Sequence, residues 1–419
     1  MIPILRAVYE PGPVQIISLF ILFLSSVFFC NLRKAGIMQS LTLLLFLLSI
    51  FIDDIILFFS IILKYGNGEI VSRNKIMEEQ KKSHWFIIFS LLFYITIIVS
   101  DAKANNVKNS AVIFMYHKFG VSKYPTTSVT IEQFNNHVDE LTKQTYNLLP
   151  LEFIVDTIIN DGELPENTIG ISVDDADRTF LEIAWPIYKE KKIPVTLFVN
   201  TGSINNFANN LNWDDIRKLK SEGVSIGAHS HSHPHMNDLS NDEMIEEIEK
   251  SNKIFLKEIG EIPNLFAYPY GEANNVLIDL IKRYKFKVAF GQHSGVINET
   301  SNLYYLPRFS LNEKYGDLER FRFISKNKGM GVYDFVPKDT HIKDNPPYIG
   351  FSLLDEKLSE NINCFIFDSN GSVDSEIFKF NERIEIRLKR KINKGRTRLN
   401  CTAKDYLGNW RWFGTQFYN

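Results

Sequence analysis

Apolar residues are spread unevenly along this 419-residue chain, and the first hundred positions hold three long runs of them. The run at 14–30 is followed by Arg33 and Lys34, the run at 41–63 is interrupted by Asp53 and Asp54, and the run at 85–99 follows Lys81 and Lys82. A carboxylate at the centre of a membrane-spanning helix costs about 2.5–3.5 kcal/mol, so the Asp pair argues against a simple second span. The basic pairs agree, because a single span between them would put them on opposite sides of a bilayer. A re-entrant segment or hairpin suits the second run better. From Met77 the pattern is that of a secretory signal: Lys81 and Lys82, an apolar stretch at 86–99, then Ala102 and Ala104 at A-x-A spacing. Residues 1–76 are thus read as a hydrophobic extension or membrane anchor, and 77–104 as a signal peptide or transmembrane segment. Either reading exports the remainder, which is then periplasmic, extracellular or membrane-anchored outside the cytoplasm.

From Ala111 onward compact apolar runs alternate with amphipathic segments. Runs at 111–116, 168–173, 194–199, 224–228, 265–268, 287–290 and 304–309 carry β-branched and aromatic residues and predict strands. Helix starts lie between them. Thr130 and Gln133 form a capping box ahead of Phe134, Val138 and Leu141, and Ser240 and Glu243 form another ahead of Met244, Ile245 and Ile248. Asp214 and Asp215 precede Ile216 and Leu219, and a further amphipathic segment follows Asp177. Such alternation predicts a parallel sheet, open or closed into a barrel, over 105–338. Beyond Asp339 the chain breaks at Asn345-Pro346-Pro347 and no useful helical period follows. Short runs at 364–367, 384–388, 397–403 and 410–418, with turns at Asn370-Gly371 and Leu407-Gly408-Asn409, predict an all-β sandwich over 339–419.

The length allows two or three domains of about 150 residues. With 45% hydrophobic residues, neither a disordered chain nor a coiled coil describes the bulk of it. Lys+Arg 47 against Asp+Glu 49 leaves no basic footprint to neutralise phosphates, so nucleic acid is not the expected partner. Of three cysteines, Cys30 lies in the first apolar run, while Cys364 and Cys401 can pair in an oxidising compartment or stay as buried thiols.

Three clusters fall at the ends of predicted strands, where α/β folds place their sites. An apolar strand runs into Asp174-Asp175, and alternation sends the two carboxylates in different directions, so that one can bind a metal while the other acts on a water. A helix cap with a first-turn acid is the plainer reading of such a pair. After the strand at 224–228 come His229, His231, His233 and His235, four of the nine histidines. Histidines four apart can offer two imidazole nitrogens to one cation, and spacing alone leaves the pairs 229/233 and 231/235 equal. In Tyr268-Pro269-Tyr270-Gly271 a rigid turn can present backbone N–H groups to an oxyanion, or be an ordinary turn. A carboxylate and two imidazoles, with a second carboxylate beside them, make a facial site with open positions for metal-assisted hydrolysis.

In the order Asp-Asp, His-Ser-x-x-His, Pro-Tyr-Gly, these residues resemble the polysaccharide deacetylase family, the NodB-homology domain of carbohydrate esterase family 4, over roughly residues 111–311. Phe114-Met115-Tyr116-His117 is similar to the opening of one branch of that family. The resemblance implies an α/β fold, a distorted (β/α)7 barrel of the NodB-homology type, here with a C-terminal all-β sandwich and N-terminal hydrophobic segments. It also implies that Asp174 is the base, that Asp175, His229 and His233 hold a divalent metal, and that the Tyr270 N–H donates to the oxyanion. Zinc suits these ligands first, and cobalt, manganese or nickel can occupy them. The implied reaction is attack of a metal-bound water, deprotonated by Asp174, on the amide carbonyl of an N-acetylhexosamine unit in an extracellular polysaccharide or oligosaccharide. Three departures stand out. Ala176 replaces the usual Gly after the Asp pair, and Ala267 stands where many members have Arg. Arg308, in Leu306-Pro307-Arg308-Phe309, is expected to supply that guanidinium from another strand end. The family's later Leu-x-His element has no clear counterpart, so His293 is the candidate general acid, or else a loop histidine.

Two other functions stay open on the sequence. One is a glycan-binding or scaffolding protein with a disabled barrel, in which Trp410, Trp412 and Phe413 form a sugar platform, although their alternation fits strand packing better. The other is a deacylase of lipid-linked sugars, associated with a membrane through residues 1–76.

Overall fold

The structure, a computed structural model, describes residues 107–419; the three apolar runs, the signal-like segment and Cys30 lie outside the described residues. Seven parallel strands form the centre: β1 (Ala111–Tyr116), β2 (Thr168–Asp174), β3 (Thr196–Val199), β4 (Ser225–Ala228), β5 (Leu265–Ala267), β6 (Val288–Phe290) and β7 (Phe309–Ser310). Their order is β7-β1-β2-β3-β4-β5-β6, with a two-residue strand, Asn147–Leu148, also paired to β2. Leu306 bridges to Phe290 of β6, so the segment leading into β7 spans the gap between the ends of the sheet and closes a distorted (β/α)7 barrel of the NodB-homology type.

All six residues of β1 are buried, as expected of a parallel strand covered on both faces. Alternation sorts them into two layers. Val112, Phe114 and Tyr116 join Ile169, Ile171 and Val173 in the core beneath the helices, whereas Ala111 and Ile113 join Phe198, Ala267 and Phe290 in the interior cluster. The helices are α1 (Ile131–Leu141), α2 (Leu151–Ile159), α3 (Trp185–Glu190), α4 (Trp213–Ser221), α5 (Asn241–Ile259), α6 (Asn275–Arg283) and α7 (Leu318–Ser325). Capping boxes open α1 at Thr130 and α5 at Ser240, each satisfying backbone N–H groups that the first helical turn leaves free. At α4 the cap is Asn212, with Asp215 as its reciprocal partner.

Two antiparallel sheets follow. One is ordered β8 (Val332–Val336), β9 (Ile349–Leu353), β12 (Arg383–Leu388), β11 (Ser375–Phe380); the other centres on β14 (Trp410–Tyr418), β13 (Arg396–Lys404) and β10 (Asn363–Asp368). Phe351, Ile384, Ile386, Ile366, Leu399 and Phe417 form their shared core. The first of these strands begins at Val332, ahead of the change in texture at Asp339. Cys364 and Cys401 face each other across β10 and β13 and are joined by a disulfide. Trp412 packs edge-on against Phe309 of the barrel at 5.1 Å, and Phe413 lies tilted against Phe351 at 5.4 Å; Trp410 is 36% exposed. Among the described residues no helix is long and apolar enough to cross a membrane.

Candidate active site

Asp174 ends β2 with its carboxylate fully buried. Arg308, just ahead of β7, reaches it with two parallel bonds: Nη1 donates to Oδ1 at 2.7 Å and Nη2 to Oδ2 at 2.8 Å. Nε donates to the Gly291 carbonyl at 2.9 Å and Nη1 also to Ser172 Oγ at 3.2 Å, so the guanidinium is held at both ends. Its central carbon lies 5.2 Å from the Phe198 ring centre and 5.9 Å from that of Phe290. Phe198 can lie there because Gly227 on the adjacent strand has no Cβ to collide with its ring. Burial alone would raise the Asp174 pKa. The charge of Arg308, together with its hydrogen bonds, outweighs that and brings it down to about 2. The planar fork of arginine fits this two-oxygen contact in a way that lysine does not.

The next residue leaves the strand sharply. Asp175 has φ 75° and Ala176 φ 53°, both in the left-handed region that costs non-glycine residues about 1–2 kcal/mol. This turn carries the Asp175 carboxylate away from Asp174 and toward two imidazoles: Oδ1 is 3.6 Å from His229 Nε2 and 3.6 Å from His233 Nε2. The three potential ligand atoms lie within 4.8 Å of one another. His229 Nδ1 is 2.7 Å from the Ala267 carbonyl, which can only accept, so the proton sits on Nδ1 and the Nε2 lone pair faces Asp175. That Nε2 is buried without a hydrogen-bond partner among the described residues. Burial, followed by the neighbouring His229, lowers the His233 pKa to about 4, which keeps its ring in the neutral form that ligates metals. An orphaned buried nitrogen, a neutral second imidazole and a carboxylate oxygen aimed at one position fit a divalent cation, with the Ala267 carbonyl orienting one ligand from behind. The other histidine pair does not converge: His231 Nδ1 meets Thr201 Oγ1 at 2.9 Å, and His235 Nδ1 meets Glu272 Oε2 at 2.8 Å.

Tyr270 sits in the single turn Pro269–Gly271 after β5, with φ 56°. Its N–H has no acceptor among the described residues, and its ring stacks on His235 at 3.8 Å and meets His233 edge-on at 4.6 Å. Ser230 and His233 are also left-handed, so backbone strain gathers at the strand ends that carry these side chains.

His293 lies behind Arg308, its carbonyl accepting from the Arg308 N–H at 2.9 Å. Its ring lines a cavity of about 260 Å³ together with Asn298, Thr340 and Phe413, and none of Asp174, Asp175, His229 or His233 borders that cavity. Burial, then Arg308 and Arg398, lower its pKa to about 3. The histidine that does lie beside the carboxylate pair is His117. Tyr116 and Val173 are paired in register, which puts His117, the next residue, alongside Asp174. It is 8% exposed and its Nδ1 has no partner among the described residues. The signal available in the sequence was a histidine closing an apolar strand next to the strand that ends in Asp-Asp.

A parallel barrel with Asp, His and His converging at the C-terminal ends of its strands is the arrangement of an α/β-barrel hydrolase. The polysaccharide deacetylase family matches residues 161–289. A poly-beta-1,6-N-acetyl-D-glucosamine N-deacetylase of Staphylococcus aureus is 30% identical over 227 residues, spanning 50% of this chain and 76% of that protein. Among solved structures, a Streptococcus pyogenes deacetylase in complex with acetate aligns with 51% of this chain and 97% of its own, at 23% identity and a TM-score of 0.48. The chain belongs to the polysaccharide deacetylase family.

Proposed function

We propose that this polysaccharide deacetylase removes N-acetyl groups from an exported polymer of N-acetylglucosamine by metal-assisted hydrolysis, with the β-1,6-linked polymer named for its Staphylococcus aureus relative as the first substrate to try. The observation that carries the reading is the convergence of Asp175, His229 and His233 beside the buried Asp174–Arg308 pair. A divalent cation, zinc first and cobalt, manganese or nickel on the same ligands, would polarise the amide carbonyl and acidify water. Asp174, kept ionised, takes the proton from the attacking water, and Arg308 fixes the plane of that carboxylate. The Tyr270 N–H donates to the carbonyl oxygen as it gains charge. As the C–N bond breaks, the departing nitrogen needs a proton. We assign its donor to His117 rather than His293, whose ring faces another cavity and stays neutral. Residues 1–104 would serve export or membrane association.

The test is acetate release by the full chain from poly-β-1,6-N-acetylglucosamine, chitin oligomers and peptidoglycan, with bound metal measured in parallel. Asp175→Asn and His229→Gln should lose both the metal and the activity. His117→Ala should keep the metal and lower kcat about 10²–10⁴-fold, whereas His293→Ala should stay within about tenfold of the parent. Metal bound but no acetate from any of the polymers would sink the hydrolase reading and favour glycan binding.

A further inference from the structure

The C-terminal sheets touch the barrel where its candidate site is built. Gln416 of β14 is 1% exposed, and its Nε2 donates to the Tyr270 carbonyl at 3.3 Å and to the Gly271 carbonyl at 3.1 Å. Arg396 of β13 donates from Nη1 to the same Tyr270 carbonyl at 3.3 Å, and its Nε lies 3.7 Å from Glu272 Oε1. Glu272 is itself buried, and its other oxygen holds His235, whose ring stacks flat on Tyr270. Tyr305 OH donates to the Gly271 carbonyl at 2.8 Å, and Tyr418 OH of β14 donates to Asp238 Oδ1 at 2.8 Å in the loop that follows the histidines. A turn whose central residue is left-handed is thus gripped by its carbonyls from one side, while the Tyr270 N–H has no acceptor among the described residues.

We infer that Gln416 and Arg396 are positioning residues for the deacetylation reaction: by holding the Tyr270 and Gly271 carbonyls they fix the turn, and with it the direction in which the Tyr270 N–H of the preceding peptide unit points at the oxyanion. This rests on the reading of that N–H as the oxyanion donor. A donor must be preorganised to favour the transition state over the ground state, and a turn free to relax from its strained backbone loses that aim. The C-terminal sheets are therefore part of the catalytic apparatus without contributing a group that touches substrate. Arg396 also completes a chain from the sheet through Glu272 to His235, which stacks against the donor residue.

The test uses the full chain carrying Gln416→Leu, Arg396→Met or Arg396→Lys, with poly-β-1,6-N-acetylglucosamine as substrate. Gln416→Leu and Arg396→Met should lower kcat about tenfold to hundredfold, with KM and zinc affinity within about twofold of the parent. Arg396→Lys keeps a donor and should recover most of the loss. Arg396 is partly exposed, so its replacements fold even if those of Gln416 do not. Hydrogen exchange of the peptide spanning 268–274 gives a readout independent of turnover and should quicken in both disruptive variants. Unchanged exchange, or a loss that falls on KM or zinc affinity instead of kcat, overturns the positioning role. A parent that releases no acetate while the variants still loosen the turn overturns only the deacetylase reading.

Discussion

At the scale of single residues, the buried Asp174–Arg308 pair is the most consequential contact. Both side chains are fully excluded from water, so removing one partner strands the other. Arg308→Met should cost about 3–5 kcal/mol of stability at neutral pH. The sign of its pH dependence follows from the pKa of about 2 that Asp174 has in the fold, below its ordinary 3.8. A depressed carboxyl contributes stability above the unfolded value and loses it as pH falls through the folded one. Without Arg308 the buried carboxyl rises instead, so the gap in stability between parent and variant should begin to narrow above pH 4, where the variant's carboxyl takes up its proton, and go on narrowing down to about pH 2, as urea unfolding would record. Arg308→Lys keeps the charge but not the two-bond fork, and should lose more kcat than stability. A Lys variant with full turnover would remove Arg308 from the reaction. Much of this was legible: Ala267 leaves the customary arginine position without a guanidinium, and Arg308 stands at another strand end to supply one. The place of His293 was not, because burial between a barrel and a sheet is written in residues more than a hundred positions away, such as Phe413.

At the scale of elements, local chemistry was the readable part. The capping boxes at Thr130 and Ser240 depend only on residues three apart, and the barrel strands are continuous apolar runs because both their faces are covered. Strand β11 was illegible for the converse reason, since most of its side chains face solvent and no apolar alternation marks it. A polar cluster ties the end of β10 to the segment that follows β12. Asp368 at the end of β10 accepts from Arg390 Nη1 at 2.6 Å and Nη2 at 3.1 Å, and from the N–H groups of Asn370 and Asn393. Bonding to Arg390, aided by the two N–H groups, brings its pKa down to about 2. With Arg390 half-exposed, Asp368→Asn should cost roughly 1 kcal/mol at neutral pH, a fall of about 2–4 °C in Tm. That difference should fade as pH drops through about 2, where the parent carboxyl is protonated as well. A Tm difference that persists unchanged at pH 2 would show that the contact works through shape and not through charge.

At the scale of the molecule, alternation along β14 sets the relation between barrel and sheets. Trp412 packs on Phe309, Gln416 holds the Tyr270 turn, and Tyr418 reaches Asp238. Gly414, between Trp412 and Gln416, lies so close to the Ser294 carbonyl that a Cβ there would collide with it. The obstacle is backbone, beside the residue whose carbonyl receives the Arg308 N–H, so it cannot step aside as a side-chain tip can. Gly414→Ala must therefore lift β14 from the barrel or bend the Ser294 loop, at a cost of about 1–3 kcal/mol. Because Gln416 is two residues along on the same face, the same shift should loosen the Tyr270 turn and lower kcat while leaving Asp175, His229 and His233 able to bind metal. Calorimetry should find one unfolding transition for residues 107–419 in the parent and a broadened or divided one in Gly414→Ala, as the sheets come away before the barrel melts. If the variant matches the parent in both transition and turnover, the barrel and the C-terminal sheets are independent units, and the hold of β14 on Tyr270 does not matter to catalysis.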